Sequence, residues 1–269
     1  MQHRNVMAAS NVNETVSERK IEYLSRPAEV SMGDRWFEIA PLDHFWIRRR
    51  FEVLKKLAGN LILSAAAMAE VGCGNGLLQR QIEDVYQREV AGFDLHEDAL
   101  KQNVSRSSRV CCYDIFQTDP VLRASFDLIF LFDVLEHISA EDTFIKAVLF
   151  HLSGNGKLIL NVPAGQWAYS EYDRMVGHLR RYSIATLLRT AQRNGLHVQQ
   201  WTYWGLPLLP TLALRKALLM GKRGKREIIS SGFEPSSMTV NKLLGLASGC
   251  EPIPQRWAGT SLMAVLELR

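Results

Sequence analysis

The sequence predicts a doubly wound α/β fold on a mostly parallel sheet, and three observations predict it. Apolar runs of strand length alternate with segments of helical period from Asp43 to about Tyr203. The runs are continuously apolar, as in Phe126–Phe132, so both faces of the sheet must be covered. A turn with three glycines, Gly72-Cys73-Gly74-Asn75-Gly76, joins the first run to the helix after it.

The elements follow in order. Asp43 to Ala58 reads as an amphipathic helix, with Phe45, Trp46, Ile47, Phe51, Leu54 and Leu57 at helical spacing and Gly59-Asn60 as its stop. Ala65 to Val71 is a buried strand ended by glycine. Leu77 to Tyr86 is a helix, Glu89 to Phe93 a strand, Glu97 to Val104 a helix and Arg109 to Tyr113 a short strand. Phe126 to Phe132 is a strand, Ala140 to Leu152 a helix, and Gly156 to Val162 a strand opened by Ser153-Gly154-Asn155. Beyond Pro163 the period is lost until Ile184 to Asn194, a helix closed by Gly195. Leu196 to Tyr203 and Ser261 to Leu268 complete seven strands, with a helix at Val240 to Ala247 between them. The expected organisation is a flexible or lid-forming segment 1–42, a core 43–204, a cap insertion 205–258 over one sheet end, and a final strand in 259–269.

Composition narrows the class. A chain of 269 residues fits one large domain. At that length about 75% of the unfolded surface can be buried without disulfide staples. With 47% hydrophobic and 22% charged residues, disordered, collagen-like and simple coiled-coil chains are excluded. The formal charge of +4 is too small to argue for nucleic acid, so none is expected as a partner. The four cysteines, Cys73, Cys111, Cys112 and Cys250, have neither CxxC nor zinc-finger spacing. They read as reduced thiols of a cytoplasmic protein, with no metal site expected. Met1 to Lys20 lacks the apolar core of a signal peptide. Trp201 to Met220 is interrupted by Pro207, Pro210, Arg215 and Lys216, so it reads as a cap helix and not as a membrane span. The basic run 222–226 after it gives 205–226 an alternative role at an anionic membrane surface.

The chemistry sits at strand ends. Glycines at 72, 74 and 76 let a ligand approach the backbone, and Glu70 precedes them. The dinucleotide fingerprint would need glycine at 77, where Leu77 stands, so it fails. Asp94 ends the second strand about 20 residues on, where a carboxylate takes ribose hydroxyls. Asp114 ends the third and suits an exocyclic amine such as that of adenine. Asp133 ends the fourth. Each could be a helix cap; together they suit one ligand with hydroxyls, an amine and positive charge.

These residues resemble the class I S-adenosylmethionine-dependent methyltransferases. The stretch Glu70 to Gly76 is similar to their cofactor loop, and Phe126 to His137 to their fourth-strand motif. The helix His44 to Arg50 and the segment Tyr172 to Tyr182 resemble a narrower group within that class. The resemblance implies a Rossmann-like seven-stranded fold with a helical N-terminal cover. It also implies S-adenosylmethionine as cofactor and S-adenosylhomocysteine as product. Cofactor contacts are expected at Glu70, Gly72, Gly74, Gly76, Asp94, Leu95, Asp114, Ile115, Phe132, Trp46 and Arg50.

Methyl transfer needs positioning above all, and a general base where the acceptor must lose a proton. His178, His137 and Asp173 are the candidate catalytic residues. An imidazole titrates near 6.5, and the adjacent Arg180 and Arg181 would lower that value. The competing reading has Asp173 and His178 pinning a loop, the arginines pairing with surface acids, and His137 opening the next helix. Trp167, Tyr169, Tyr172, Arg180, Arg181 and Tyr182 are candidate acceptor contacts, with Trp36 among further aromatic candidates. The expected acceptor is a small molecule, with a lipid- or sugar-linked compound or a secondary metabolite as the candidate kinds. RNA or protein acceptors, and a non-catalytic or NAD-binding domain, are the alternatives. Oligomeric state leaves no trace in the sequence.

Overall fold

The computed structural model describes residues 21–28, 42–219 and 237–269. The lid expected in 1–20, Trp36 and the basic run 222–226 lie outside the described residues.

Among the described residues eight strands form one sheet. They are β1 (Glu22–Tyr23), β2 (Met68–Val71), β3 (Ala91–Asp94), β4 (Val110–Cys112), β5 (Phe126–Phe132), β6 (Leu152–Pro163), β7 (Leu196–Trp204) and β8 (Ser261–Leu268). Their order is β1-β4-β3-β2-β5-β6-β8-β7. All pairings are parallel except those of β8, which runs antiparallel to β6 and β7. Seven of the strands are those read from the sequence. The eighth, β1, corrects the seven-stranded expectation. Its two residues pair with Cys111 and Cys112, inside the stretch expected to be flexible or a lid. Two residues are too few to display a period.

The chain leaves β2 toward β3 and β4, then returns to build β5 and β6 on the other side. The strand order therefore reverses between β2 and β5. Ligands of open α/β sheets bind in the crevice outside strand C-termini at such a point.

Period two explains the unbroken apolar run of β5. Ile129 and Leu131 face one core with Val71, Leu158 and Leu160. Leu128, Phe130 and Phe132 face the other with Met68, Ile159 and Val265. The first face is covered by α4 (Glu141–His151) and α6 (Ile184–Arg193), through Phe144, Val148, Leu187 and Ala191. The second is covered by α1 (Phe45–Ser64) and α2 (Leu77–Tyr86), through Phe51, Leu54, Ile62, Leu78 and Ile82. Helix α1 does not stop at Gly59-Asn60 as expected. Its dihedrals break at Ala58 (φ −140°), and the helix continues to Ser64. Burial of Ile62 outweighs the glycine's weak stop signal.

The other α-helices among the described residues are α3 (Glu97–Lys101), α5 (Glu171–Met175), α7 (Leu209–Leu219) and α8 (Met238–Gly249). Residues beyond β7 are fastened to α1. Glu251 accepts from Gly205 N (2.6 Å) and Leu206 N (2.8 Å) and pairs with Arg49 (3.2 Å). Asn241 on α8 accepts from Phe45 N (2.8 Å) and donates to the Asp43 carbonyl (3.0 Å), so it holds the first turn of α1. Among the described residues no helix is long and apolar enough to cross a membrane.

Candidate active site

The glycine loop turns between β2 and α2 under close steric constraint. Gly72 has φ +77°, and a Cβ there would stand 2.3 Å from Val134 Cγ2. Gly76 has φ +76° and precedes the first turn of α2; a Cβ there would meet the Asn103 side chain at 2.5 Å. Only glycine fits both demands. Gly72 N donates to the Phe93 carbonyl (2.7 Å), which fixes the loop to β3. Gly74 N donates to Asp94 Oδ2 (2.8 Å) and His96 N to Asp94 Oδ1 (2.9 Å). Burial raises the Asp94 carboxyl above its ordinary range, against these backbone bonds. The Leu95 backbone also bonds to it, and a carboxylate has about four acceptor sites, so capacity remains for a hydroxyl.

Arg50 enters from α1. Its Nη1 lies 2.7 Å from Asp133 Oδ2, with the guanidinium 5.0 Å from the Trp46 ring centroid and 5.2 Å from that of Phe132. Asp133 is held at φ +57°, a strained value for a residue with a side chain. Asn161 Nδ2 donates to its Oδ1 (2.8 Å), and Trp204 Nε1 donates to Asn161 Oδ1 (2.9 Å). Beside them Glu70 is buried, and its Oε2 makes no hydrogen bond. Burial pushes its carboxyl up to about 8, helped by Asp94 and Asp133 and opposed by Arg50. Asp94 and Asp133 thus both act on Glu70, and the Arg50 guanidinium acts on Glu70 and Asp133. The group is short of positive charge, and it fits a ligand that brings a sulfonium or an ammonium.

On the far side of the loop, Asp114 follows β4. Its Oδ1 accepts from Phe116 N (3.0 Å), capping the short helix Ile115–Gln117. Its own N donates to Ser25 Oγ (2.8 Å), and Ala28 N donates to the Leu95 carbonyl (3.1 Å). The segment 24–28 therefore crosses the ends of β3 and β4. Ser25 was not legible as a site residue, because no spacing ties it to the loop. Ile115 buries its side chain in the core, so only its backbone is available to a ligand at this edge.

The segment after β6 separates into two groups. Asp173 is 0% exposed and accepts from His178 Nδ1 (2.9 Å), Arg181 Nε (2.8 Å) and Ser170 N (2.9 Å). Burial alone would raise its carboxyl; the bond from His178 and the charge of Arg181 outweigh it and hold it well below the ordinary range. Asp173, expected to be catalytic, is thus enclosed by donors, with His178 Nδ1 one of them. Arg181 pairs with this buried acid and not with a surface one. Tyr169 donates to the His178 carbonyl (2.7 Å), and the Arg215 guanidinium from α7 lies 4.3 Å from the Tyr172 ring centroid.

The second group turns away from the crevice. The Tyr182 hydroxyl donates to Glu141 Oε1 on α4 (2.8 Å), and Arg180 lies 3.9 Å from the same oxygen. Both were expected to contact the acceptor; the α4 carboxylate draws them to the helical layer. Trp167 is 58% exposed and its carbonyl accepts from Lys216 of α7, so its ring forms no buried acceptor wall.

His137 closes a short helix, Leu135–His137, directly after β5. Its ring stands edge-on to that of His178, with centroids 4.8 Å apart. Burial, then the neighbouring His178, pushes it down to about 3. Glu136 is 1% exposed and lies 3.8 Å from His178 Nε2. Asp133 acts electrostatically on Glu70 at one side and on Glu136 and Tyr172 at the other, so it joins the two halves of the site. Asn161, Glu136 and Arg215 were not among the residues read from the sequence. Asn161 sits in an apolar strand where one polar residue is the available signal, and Glu136 lay unweighed inside the Asp133–His137 motif.

Residues 69–160 match the methyltransferase domain family. A probable S-adenosylmethionine-dependent methyltransferase of Mycobacterium tuberculosis is 30% identical over 142 residues, 51% of this chain and 50% of that protein. The chain thus matches about half the length of its curated relatives. Among solved structures, a SAM-dependent methyltransferase from Archaeoglobus fulgidus superposes with a TM-score of 0.51 at 12% identity, covering 81% of this chain and 93% of that one. The plantazolicin methyltransferase BpumL gives 0.51 at 13% identity, with 86% of each chain covered. At such identities the structures speak for the fold. Residues 69–160 are thus similar to a methyltransferase domain, and the fold is that of solved methyltransferases.

Proposed function

We propose that the chain transfers a methyl group from S-adenosylmethionine to a small-molecule acceptor. One observation carries the reading: the glycine loop, Asp94 and the Glu70–Arg50–Asp133 group converge at the switch point of the sheet. When bound, the cofactor supplies a methyl group whose bond to sulfur breaks, the electron pair staying on sulfur, as the acceptor atom bonds to carbon.

The residues divide the remaining work. Asp94 has acceptor capacity left for a ribose hydroxyl, and Asp114 lies at the end of the next strand for the adenine amine. Glu70 and Asp133 offset the ligand's positive charge. Trp46 and Phe132 supply apolar walls that exclude water. On the acceptor side, Asp173 takes the proton-bearing Nδ1 of His178. The imidazole then presents Nε2 as an unprotonated acceptor, which suits removal of a hydroxyl or amine proton. Tyr172 and Arg215 border the same place; Arg215 favours an acceptor with an anionic or electron-rich group.

Titration calorimetry with S-adenosylhomocysteine beside NADH tests the cofactor. Heat with S-adenosylhomocysteine alone is expected, and heat with NADH alone overturns the reading. Asp94→Ala should weaken S-adenosylhomocysteine by about 10–100-fold, as expected for lost hydrogen bonds to a charged group. Mass spectrometry of metabolites incubated with methyl-labelled cofactor then finds the acceptor; label appearing only in RNA or protein overturns the small-molecule part.

A further inference from the structure

Three side chains beside the end of β5 form a group that a transferase relying on positioning does not require. Glu136, His137 and His178 place ligand atoms within 4.8 Å of one another. Glu136 is buried, and neither of its carboxylate oxygens has a hydrogen-bond partner outside its own residue. The His137 ring meets the Gly177 backbone and has no side-chain hydrogen-bond partner. Buried polar atoms are nearly always satisfied, and a buried carboxylate with no partner outside its own residue points to an absent one.

The third side chain is prepared for the same partner. His178 Nδ1 is engaged by Asp173 (2.9 Å), which Arg181 holds in turn (2.7 Å). A carboxylate behind an imidazole fixes its tautomer and raises the basicity of the far nitrogen, as it does behind metal-bound histidines. That far nitrogen, Nε2, faces Glu136. We propose that Glu136, His137 and His178 bind one divalent transition-metal ion. Two imidazoles and a carboxylate are the donor set of borderline cations such as Zn²⁺, Co²⁺, Fe²⁺ and Mn²⁺. Three protein ligands leave a coordination position open, as catalytic sites do. Ligand atoms of a tetrahedral ion at about 2.0–2.1 Å lie roughly 3.4 Å apart, so side-chain rotations of about 1 Å close the set.

The proposal deepens the transferase reading and rests on it for the role of the ion, though not for its binding. An ion on Nε2 takes the lone pair that a general base needs. The ion and the free base are therefore exclusive at that atom, and proton loss from the acceptor becomes metal-dependent.

The test uses the full chain with exposed Cys250 replaced by serine, stripped with a chelator and titrated with Co²⁺. One Co²⁺ per chain with a visible d–d spectrum, displaced by Zn²⁺, is expected. Glu136→Gln and His137→Gln should each weaken Co²⁺ by about 10²-fold or more while keeping S-adenosylhomocysteine affinity, since second-shell losses alone reach 10–100-fold. Absence of stoichiometric Co²⁺ on the unsubstituted site, or affinity unmoved by both substitutions, overturns the metal site. The unsubstituted site's stoichiometry decides the matter even where a variant misfolds. S-Adenosylhomocysteine heat without Co²⁺ binding removes the metal proposal alone; Co²⁺ binding without that heat removes the transferase reading alone.

Discussion

Glu70 links stability to ligand binding through one proton. Its folded value of about 8 stands above the ordinary 4.5, chiefly through burial. Between these values the folded chain keeps a proton that the unfolded chain releases. Stability then falls as pH rises through that window. Glu70→Gln removes the slope. The variant should melt above the parent by a margin that widens from about pH 4.5 to about 8, and a margin flat with pH would contradict the assignment. The same substitution should weaken S-adenosylhomocysteine, because an amide offers a cationic ligand no charge. Glu70 was legible as the acid before the glycines. Its role as a proton reservoir was not, because that depends on how deeply β2 is covered.

At the level of elements, the clearest joint is the one Glu251 makes between α1 and the turn after β7. It satisfies two backbone amides and the buried Arg49. Removing one partner of a buried ion pair costs about 3–5 kcal/mol, since the other charge stays buried and unpaired. Glu251→Ala should lose stability on that scale in urea unfolding, and Arg49→Met in the same chain should restore a large part. Additive losses would show that the two do not act as a pair. Elements with a strong period, such as Phe126–Phe132, Leu77–Tyr86 and Ser261–Leu268, were read with their observed bounds. The end of α1 was misread because packing of Ile62 overrode Gly59. That Tyr182 and Arg180 share Glu141 was not legible, because it lies about forty residues away and only folding brings it near.

For the whole molecule, sheet order sets the pattern of protection. β5, β6 and β8 pair on both edges, while β1 adds two residues at a rim. Hydrogen exchange followed by mass spectrometry should find β5, β6 and β8 slowest and β1 among the fastest. Equal protection of β1 and β8 would contradict this order. The parallel sheet, the glycine loop and the acids Asp94, Asp114 and Asp133 were legible because strand ends recur at regular intervals. The Glu136–His137–His178 group was not, and the expectation of no metal site rested on cysteine spacing alone. It joins side chains from two strand ends whose proximity depends on the sheet order. That order also bears on synthesis. β8 fills the slot between β6 and β7, yet leaves the ribosome after both. Two bare strand edges must wait through translation of the whole 205–258 stretch. A cell producing this chain slowly, or pausing within that stretch, should see more of it bound to chaperones or lost to aggregates.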